Sequence, residues 1–416
     1  MSAASPSNSS IDAQQIIAAA IARATVEGVR SLTLRDLAQA VGRSTTVIVN
    51  LFGSKSGLLQ AIGEEALRQD AAFHRRFFDS VAGLPLGRDT LLVLVRHYLR
   101  RRAAEEAGFV RIWEGLLLDA EPGPERRDLM ARWDDMRRDA WRRHLSTAPT
   151  LDDPAEPLVA CLTLEQFYAG ALKGRADYEL IAEEGLGGLV DRILGLPERE
   201  ATATFWYREN LVLPQAPAEG LEAESMRRKL LDIAADQMLA GGIGAVTNRS
   251  VSVVAGTSTS TIAYHWPDMR RFVQDAVWHS VFRDMPRYLA GQRPEGDPAR
   301  ADLTSWTRLM APTVSIPPEI EGFYVRYARL IASICVEARR DPSLRDLAML
   351  LRGPEGGGTY YNAAGVWPPE FDLTRLAATR FALWIKGRSL MASATGVPIS
   401  TPDLVAGAIQ LVARAA

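Results

Sequence analysis

The stretch from Ile16 to Ile62, IIAAAIARATVEGVRSLTLRDLAQAVGRSTTVIVNLFGSKSGLLQAI, decides how this chain is read. Ile16, Ile17, Ala20, Ile21 and Ala24 recur at helical spacing, so residues 11–28 are expected as one amphipathic helix. Gly28 ends it, where a helix C-terminus favours a left-handed residue. Thr33, with Asp36 three positions later, marks the start of a second helix whose inward face is Leu34, Leu37, Ala38 and Val41. Gly42 makes a tight corner. Ser44 is expected to cap a third helix with Val47, Ile48 and Leu51 turned inward. Phe52 follows as a wedge, and Ser54 caps a fourth helix that opens with Lys55. Helices in this order, with a glycine at the corner, have the pattern of a helix-turn-helix.

The pattern returns from Leu230 to Val277, LLDIAADQMLAGGIGAVTNRSVSVVAGTSTSTIAYHWPDMRRFVQDAV, at a constant offset of 214 positions. Gly28 matches Gly242, Thr33 matches Thr247, Arg35 matches Arg249 and Gly42 matches Gly256. Ser44 and Thr45 match Ser258 and Thr259, Ile48 matches Ile262, and Trp266 stands for Phe52. Phe109 and Phe323 keep the offset, and Lys173-Gly174-Arg175 precedes Lys386-Gly387-Arg388 by 213. The chain therefore reads as a full-length internal duplication. Pro214 to Glu224, PQAPAEGLEAE, lacks periodicity and reads as the linker; eleven extended residues reach at most about 35 Å.

Both stretches resemble the N-terminal domain of the tetracycline-repressor (TetR) family, the first more closely. The resemblance implies an all-α fold and a ligand-responsive transcriptional regulator, most often a repressor. The expected order is a DNA-binding domain at 11–62, a helical ligand-binding and dimerisation-like domain at 63–213, the linker at 214–224, a second DNA-binding domain at 225–276 and a second helical domain at 277–416. Members usually carry one unit per chain and pair as homodimers. Two units in one chain imply a single-chain pseudo-dimer joined through C-terminal helices, with further self-association left open. Double-stranded DNA is the expected partner, and a small molecule of unknown identity the effector.

In the first unit the expected DNA-facing residues are Thr33, Arg35, Ser44, Thr45, Thr46, Val49, Asn50 and Lys55. Hydroxyls can meet phosphates or base edges, asparagine can read adenine, and lysine can hold a phosphate. In the second they are Arg227, Arg228 and Lys229, taken as a basic arm, with Thr247, Arg249, Ser258, Thr259, Ser260, Tyr264 and His265. The family usually has a phosphate-contacting tyrosine where this chain has Val49 and Ala263; Tyr264 stands one position later. The lysine that opens the fourth helix is kept as Lys55 and replaced by Met269. The units therefore face DNA with different residues, and unequal operator half-sites are expected.

Effector-contact candidates are His97, Arg111, Trp113, Phe167, Trp306, Tyr327 and Trp384, with Arg326 beside them. For any one aromatic, core packing is the better reading. The arginine pairs at 75–76, 126–127, 137–138 and 142–143 and the triplet 100–102 alternate with acids and read as solvated helix faces. The glycine of each Lys-Gly-Arg reads as a packing residue on a penultimate helix. The loop from Arg352 to Asp372 reads equally as a lid or a disordered surface loop.

Composition sets the outer limits. The 416 residues, 47% hydrophobic and 24% charged with a net charge of −2, suit several helical domains and no cation-coated surface. Two cysteines fit a reducing, cytoplasmic setting and exclude a cysteine-built zinc cluster. The polar N-terminus lacks a signal-peptide pattern, and no apolar run is long enough to cross a membrane. Five histidines without metal spacing and no nucleophile elbow give no catalytic residue, metal or cofactor. The alternative function is a helical protein–protein regulator whose second unit, or both, no longer binds DNA.

Overall fold

The computed structural model describes residues 8–29, 32–104, 108–119, 122–146, 151, 153–212, 215–289, 302–361, 366–368, 371 and 373–412. Among them every extended regular element is a helix, so the chain is all-helical. The N-terminal stretch 1–7, Glu105, Glu106, Pro149 and Pro214 lie outside the described residues. No described helix is long and apolar enough to cross a membrane.

The first half runs α1 (Asn8–Glu27), α2 (Leu34–Ala40), α3 (Thr45–Phe52), α4 (Lys55–Asp79), α5 (Arg88–Arg102), α6 (Gly108–Leu117), α7 (Pro124–Leu145), α8 (Ala155–Ala171), α9 (Ala176–Ile193) and α10 (Thr202–Glu209). The second runs α11 (Met226–Gly241), α12 (Asn248–Ala255), α13 (Thr259–His265), α14 (Met269–Leu289), α15 (Leu303–Met310), α16 (Phe323–Ala338), α17 (Arg345–Arg352), α18 (Gly357–Tyr361), α19 (Arg375–Thr395) and α20 (Thr401–Val412). Helices α2, α3 and α4 begin at 34, 45 and 55, and α12, α13 and α14 at 248, 259 and 269.

Helices α8 and α19 are buried around most of their circumference, α8 with largely apolar side chains and α19 with Arg380 and Lys386 among its buried ones. They pack on one another, and α8 also meets α16 while α19 meets α7 and α9. The two halves therefore share one continuous core, with α8 and α19 at its seam. Gly387 lets them approach: a Cβ there would overlap the Ala160 carbonyl oxygen and lie 2.8 Å from its carbon. The expected packing role thus holds for Gly387. It does not hold for Gly174, which sits in a turn after α8 at φ +83° with open space around it. The two Lys-Gly-Arg sites are not equivalent, because α8 stops at Ala171 while α19 continues through Lys386.

Polar contacts cross this seam from Arg352 and Tyr168, and Tyr178 and Lys386 complete them from within their own halves. Arg352 donates to Glu165 at 3.0 Å, and Tyr178 donates to the same carboxylate at 2.9 Å. Tyr168 donates to Glu355 at 3.2 Å, and Lys386 pairs with Glu355. The described part of 352–372 is thus neither lid nor loose loop. Glu355 is buried, and Trp367 and Phe371 pack with Trp306. The reading of the arginine clusters as solvated holds for Arg75, Arg76, Arg100, Arg101, Arg127, Arg142 and Arg143, which are exposed, and fails for two others. Arg102 and Arg137 are buried, Arg102 donating to Asp70 at 2.5 Å and to Gln166 at 3.2 Å.

Candidate nucleic-acid interface

The first unit is α1 to α4, with α1 against α2, α3 and α4. Ile16, Ala20, Leu37, Ile48, Leu58 and Ile62 are buried at its centre, which the helical spacing dictates. Thr33 accepts from the Asp36 amide at 3.1 Å, and Ser54 accepts from the Gly57 amide at 3.1 Å, fixing the starts of α2 and α4. Gly42 at φ +64° makes the corner between α2 and α3 with nothing within 4 Å of a would-be Cβ. The left-handed backbone alone requires glycine there. Ser44 occupies the cap position of α3 in extended backbone, but its hydroxyl makes no capping bond. That hydroxyl remains available to another partner.

Once Ile48 is buried, α3 turns its other face to solvent. Thr45, Thr46, Val49 and Asn50 are exposed there, with Lys55 exposed at the start of α4 and Arg35 on α2. Arg43 is held by Asp12 at 2.8 Å.

The second unit, α11 to α14, is built the same way. Thr247 and Ser250 form a reciprocal capping box, Thr247 accepting from the Ser250 amide at 3.0 Å and Ser250 accepting from the Thr247 amide at 2.9 Å. Gly256 is left-handed at φ +68°, and Asp268 accepts from the Arg271 amide at 2.8 Å. Trp266 is buried and donates to Asp275 at 2.9 Å, so it wedges more deeply than the half-buried Phe52. Thr259, Ser260, Ala263 and Tyr264 face solvent, and Tyr264 is 85% exposed, edge-on to the ring of the partly buried His265. Ser258 lies 2.6 Å from Ser260, hydroxyl to hydroxyl.

The expected basic arm is not free. Arg227, Arg228 and Lys229 lie in the first turns of α11, each engaged within the unit. Arg227 lies over the Trp266 ring at 5.2 Å and within 3.7 Å of Asp275. Arg228 stands 3.8 Å from Asp232. Lys229 donates to the Ala255 carbonyl at 3.0 Å, at the C-terminus of α12, where a cation complements the helix dipole. This leaves exposed Arg249 as the counterpart of Arg35; Met269 stands at the position of Lys55, and the exposed Arg270 and Arg271 beside it pair with Asp341 and Asp275 at 3.0 and 3.2 Å.

No protein-family model matches the sequence, and no curated protein matches it.

The candidate effector residues do not converge. Trp113 stacks with Phe167 at 6.1 Å beneath the Arg137 guanidinium, 4.5 Å from its ring, in the first-half core. Trp306 lies in the cluster with Trp367 and Phe371, and Trp384 is buried with Nε1 3.1 Å from Glu156. Tyr327 stacks on Phe323 at 5.3 Å and carries Lys386 over its ring. These rings pack into the core, and none of them lines either of the two clefts at Ala24–Arg345 and Ala71–Ser146. His97 is exposed, stacked on Phe77 at 5.9 Å, and Arg326 is exposed as well.

Arg111, of these candidates, lines a cleft, one of about 740 Å³ between the halves, and donates to Glu114 at 3.0 Å. Glu114, Arg339 and Arg340 of that cleft carry no local signal, because Glu114 and Arg339 are 225 positions apart. Burial alone would raise the Glu114 carboxyl, but the Arg339 and Arg111 guanidiniums outweigh it and hold it below its ordinary value.

Proposed function

We propose that this chain is a ligand-responsive transcriptional regulator of the TetR type, acting as a repressor that binds duplex DNA through two tandem, non-identical helix-turn-helix units as a single-chain pseudo-dimer. The observation that carries the reading is the pair of solvent faces on α3 and α13. At the same register each presents polar side chains that the fold itself does not use. A helix of this length with its N-terminal residues outward suits insertion into the major groove. Arg35 and Arg249, at matching positions on α2 and α12, suit the flanking phosphates.

The faces differ, Asn50 against Tyr264 and Val49 against Ala263, so unequal half-sites separated by roughly one turn, about 34–36 Å, are expected. Steric blocking of a promoter follows, released when an effector changes the spacing.

Selection of bound duplexes from a random library, followed by titration from 50 to 200 mM salt, tests this. Binding that falls about 10³- to 10⁵-fold supports some six to ten phosphate contacts. Absence of duplex binding at low salt refutes the proposal. A second reading, in which the α11–α14 unit serves protein–protein contact instead, draws on the engagement of Arg227, Arg228 and Lys229 within that unit. It predicts that Arg249→Ala leaves the salt slope unchanged, whereas the first reading predicts a slope reduced by about one.

A further inference from the structure

We propose that the cleft between the two halves binds a small organic anion with an apolar body, and that such a ligand bears on both helical units, α1–α4 and α11–α14, at once. The second clause rests on the regulatory reading above; the first does not.

The position of the cleft is the first argument. One wall is the C-terminal end of α1 and the turn after it, from Ala24 to Val29. The opposite wall is the turn after α11, at Ile243 and Gly244. These turns lead into α2 and α12. Both rest on α16 or the turn that follows it. Gly28, at φ +83°, lies against the Arg340 guanidinium, and a Cβ at Gly242 would sit 2.6 Å from Ser333 Oγ. A ligand in the cleft would therefore touch the supports of both units together.

The chemistry of the walls is the second argument. Five cationic side chains line the cleft against three carboxylates. Glu114 is shared: Arg339 donates to it at 2.5 and 2.8 Å while Arg111 donates at 3.0 Å, so two guanidiniums divide one negative charge. Arg339 Nε is closed off from solvent and has no hydrogen-bond partner among the described residues. Two guanidiniums over one carboxylate leave net positive charge at a partly dry wall, which favours an anionic group such as a carboxylate or sulfonate. Val29, Leu118, Ile243 and Val336 supply the apolar remainder. The volume lies within the range of sites for drug-sized molecules.

The test uses the full chain without DNA. Decanoate and naphthalene-2-sulfonate are titrated by calorimetry against the uncharged decanol and 2-naphthol. Both anions are expected to bind at least tenfold more tightly than their uncharged partners. Arg339→Gln should erase that preference. Val336→Trp, which fills the cleft without touching the charges, should weaken both anions tenfold or more while helicity by circular dichroism stays native. Failure of both anions to bind, equal binding of the neutral compounds, or wild-type anion binding by both folded variants overturns the site. Anion binding that leaves duplex affinity unchanged, or a chain that binds no duplex, overturns the coupling clause and leaves the site standing. Steep salt-dependent duplex binding without anion binding overturns the site and its coupling and leaves the regulatory reading standing.

Discussion

Gly387→Ala is the substitution that most directly probes how the two halves are joined. In an unobstructed helix it would stabilise by about 1 kcal/mol, because alanine orders the backbone at less entropic cost. At this position the new Cβ would overlap the Ala160 carbonyl oxygen, 2.8 Å from its carbon and 3.4 Å from its Cα. All three are backbone atoms of α8, so no side chain can swing away. Ordinary carbon contacts begin near 3.5 Å, so α8 and α19 must part by roughly 1 Å. Overpacking of this kind costs about 3 kcal/mol at the upper end of its usual range. Set against the propensity gain, the net loss is about 2 kcal/mol. With about 2.1 cal/mol/K per residue of unfolding entropy over 416 residues, the melting temperature should drop by about 2 °C if the chain unfolds as one unit. Gly187→Ala in α9 is the control. Its nearest neighbours are side-chain atoms, the tip of Arg88 at 3.1 Å and a Leu92 methyl at 3.8 Å, so the propensity gain should survive and the protein should be no less stable than wild type. Differential scanning calorimetry of both variants decides. A Gly387→Ala protein as stable as wild type, or more stable, would refute the close approach of α8 and α19.

Three other outcomes follow from the same structure. Burial alone would raise Asp70, but the Arg102 and His74 charges outweigh it and hold the carboxyl well below its ordinary 3.8. A depressed carboxyl contributes stability that is present above 3.8 and fades as pH falls toward the folded value. Asp70→Asn should therefore cost about 3–5 kcal/mol at neutral pH and flatten the acid limb of melting temperature against pH. Burial pushes the Cys161 and Cys335 thiols far above their ordinary value, so iodoacetamide should label neither in the native protein and both in urea, as read by intact mass. Lys55→Ala should weaken duplex binding across all sequences without altering preference in library selection, since its exposed ammonium suits a phosphate; changed preference would assign it to a base.

The short-range parts of this structure were legible in the sequence. Helix starts at Thr33, Ser54, Thr247 and Asp268 use side chains that bond amides three residues on, and the corners at Gly42 and Gly256 need only a glycine. The same 3.6-residue period that buries Ile48 and Ile262 exposes Asn50 and Tyr264. The charge pairs at the seam were not legible. Arg352 and Glu165 are 187 positions apart, so nothing local distinguishes those charges from solvated ones. Two arginines of the clusters, Arg102 and Arg137, misled for the same reason: Arg102 is buried because Asp70, 32 positions earlier, waits beside it. Aromatic residues likewise do not announce whether they line a cavity or fill one, and here they fill it.

The central claim is two unlike DNA readers in one chain, and hydroxyl-radical footprinting on a library-selected duplex tests it most directly. Two protected patches on one face of the duplex, about one helical turn apart, should form at a stoichiometry of one chain per duplex. Asn50→Ala should clear one patch and Tyr264→Ala the other. A perfect palindrome protected equally on both sides, or a single patch indifferent to Tyr264, would contradict it.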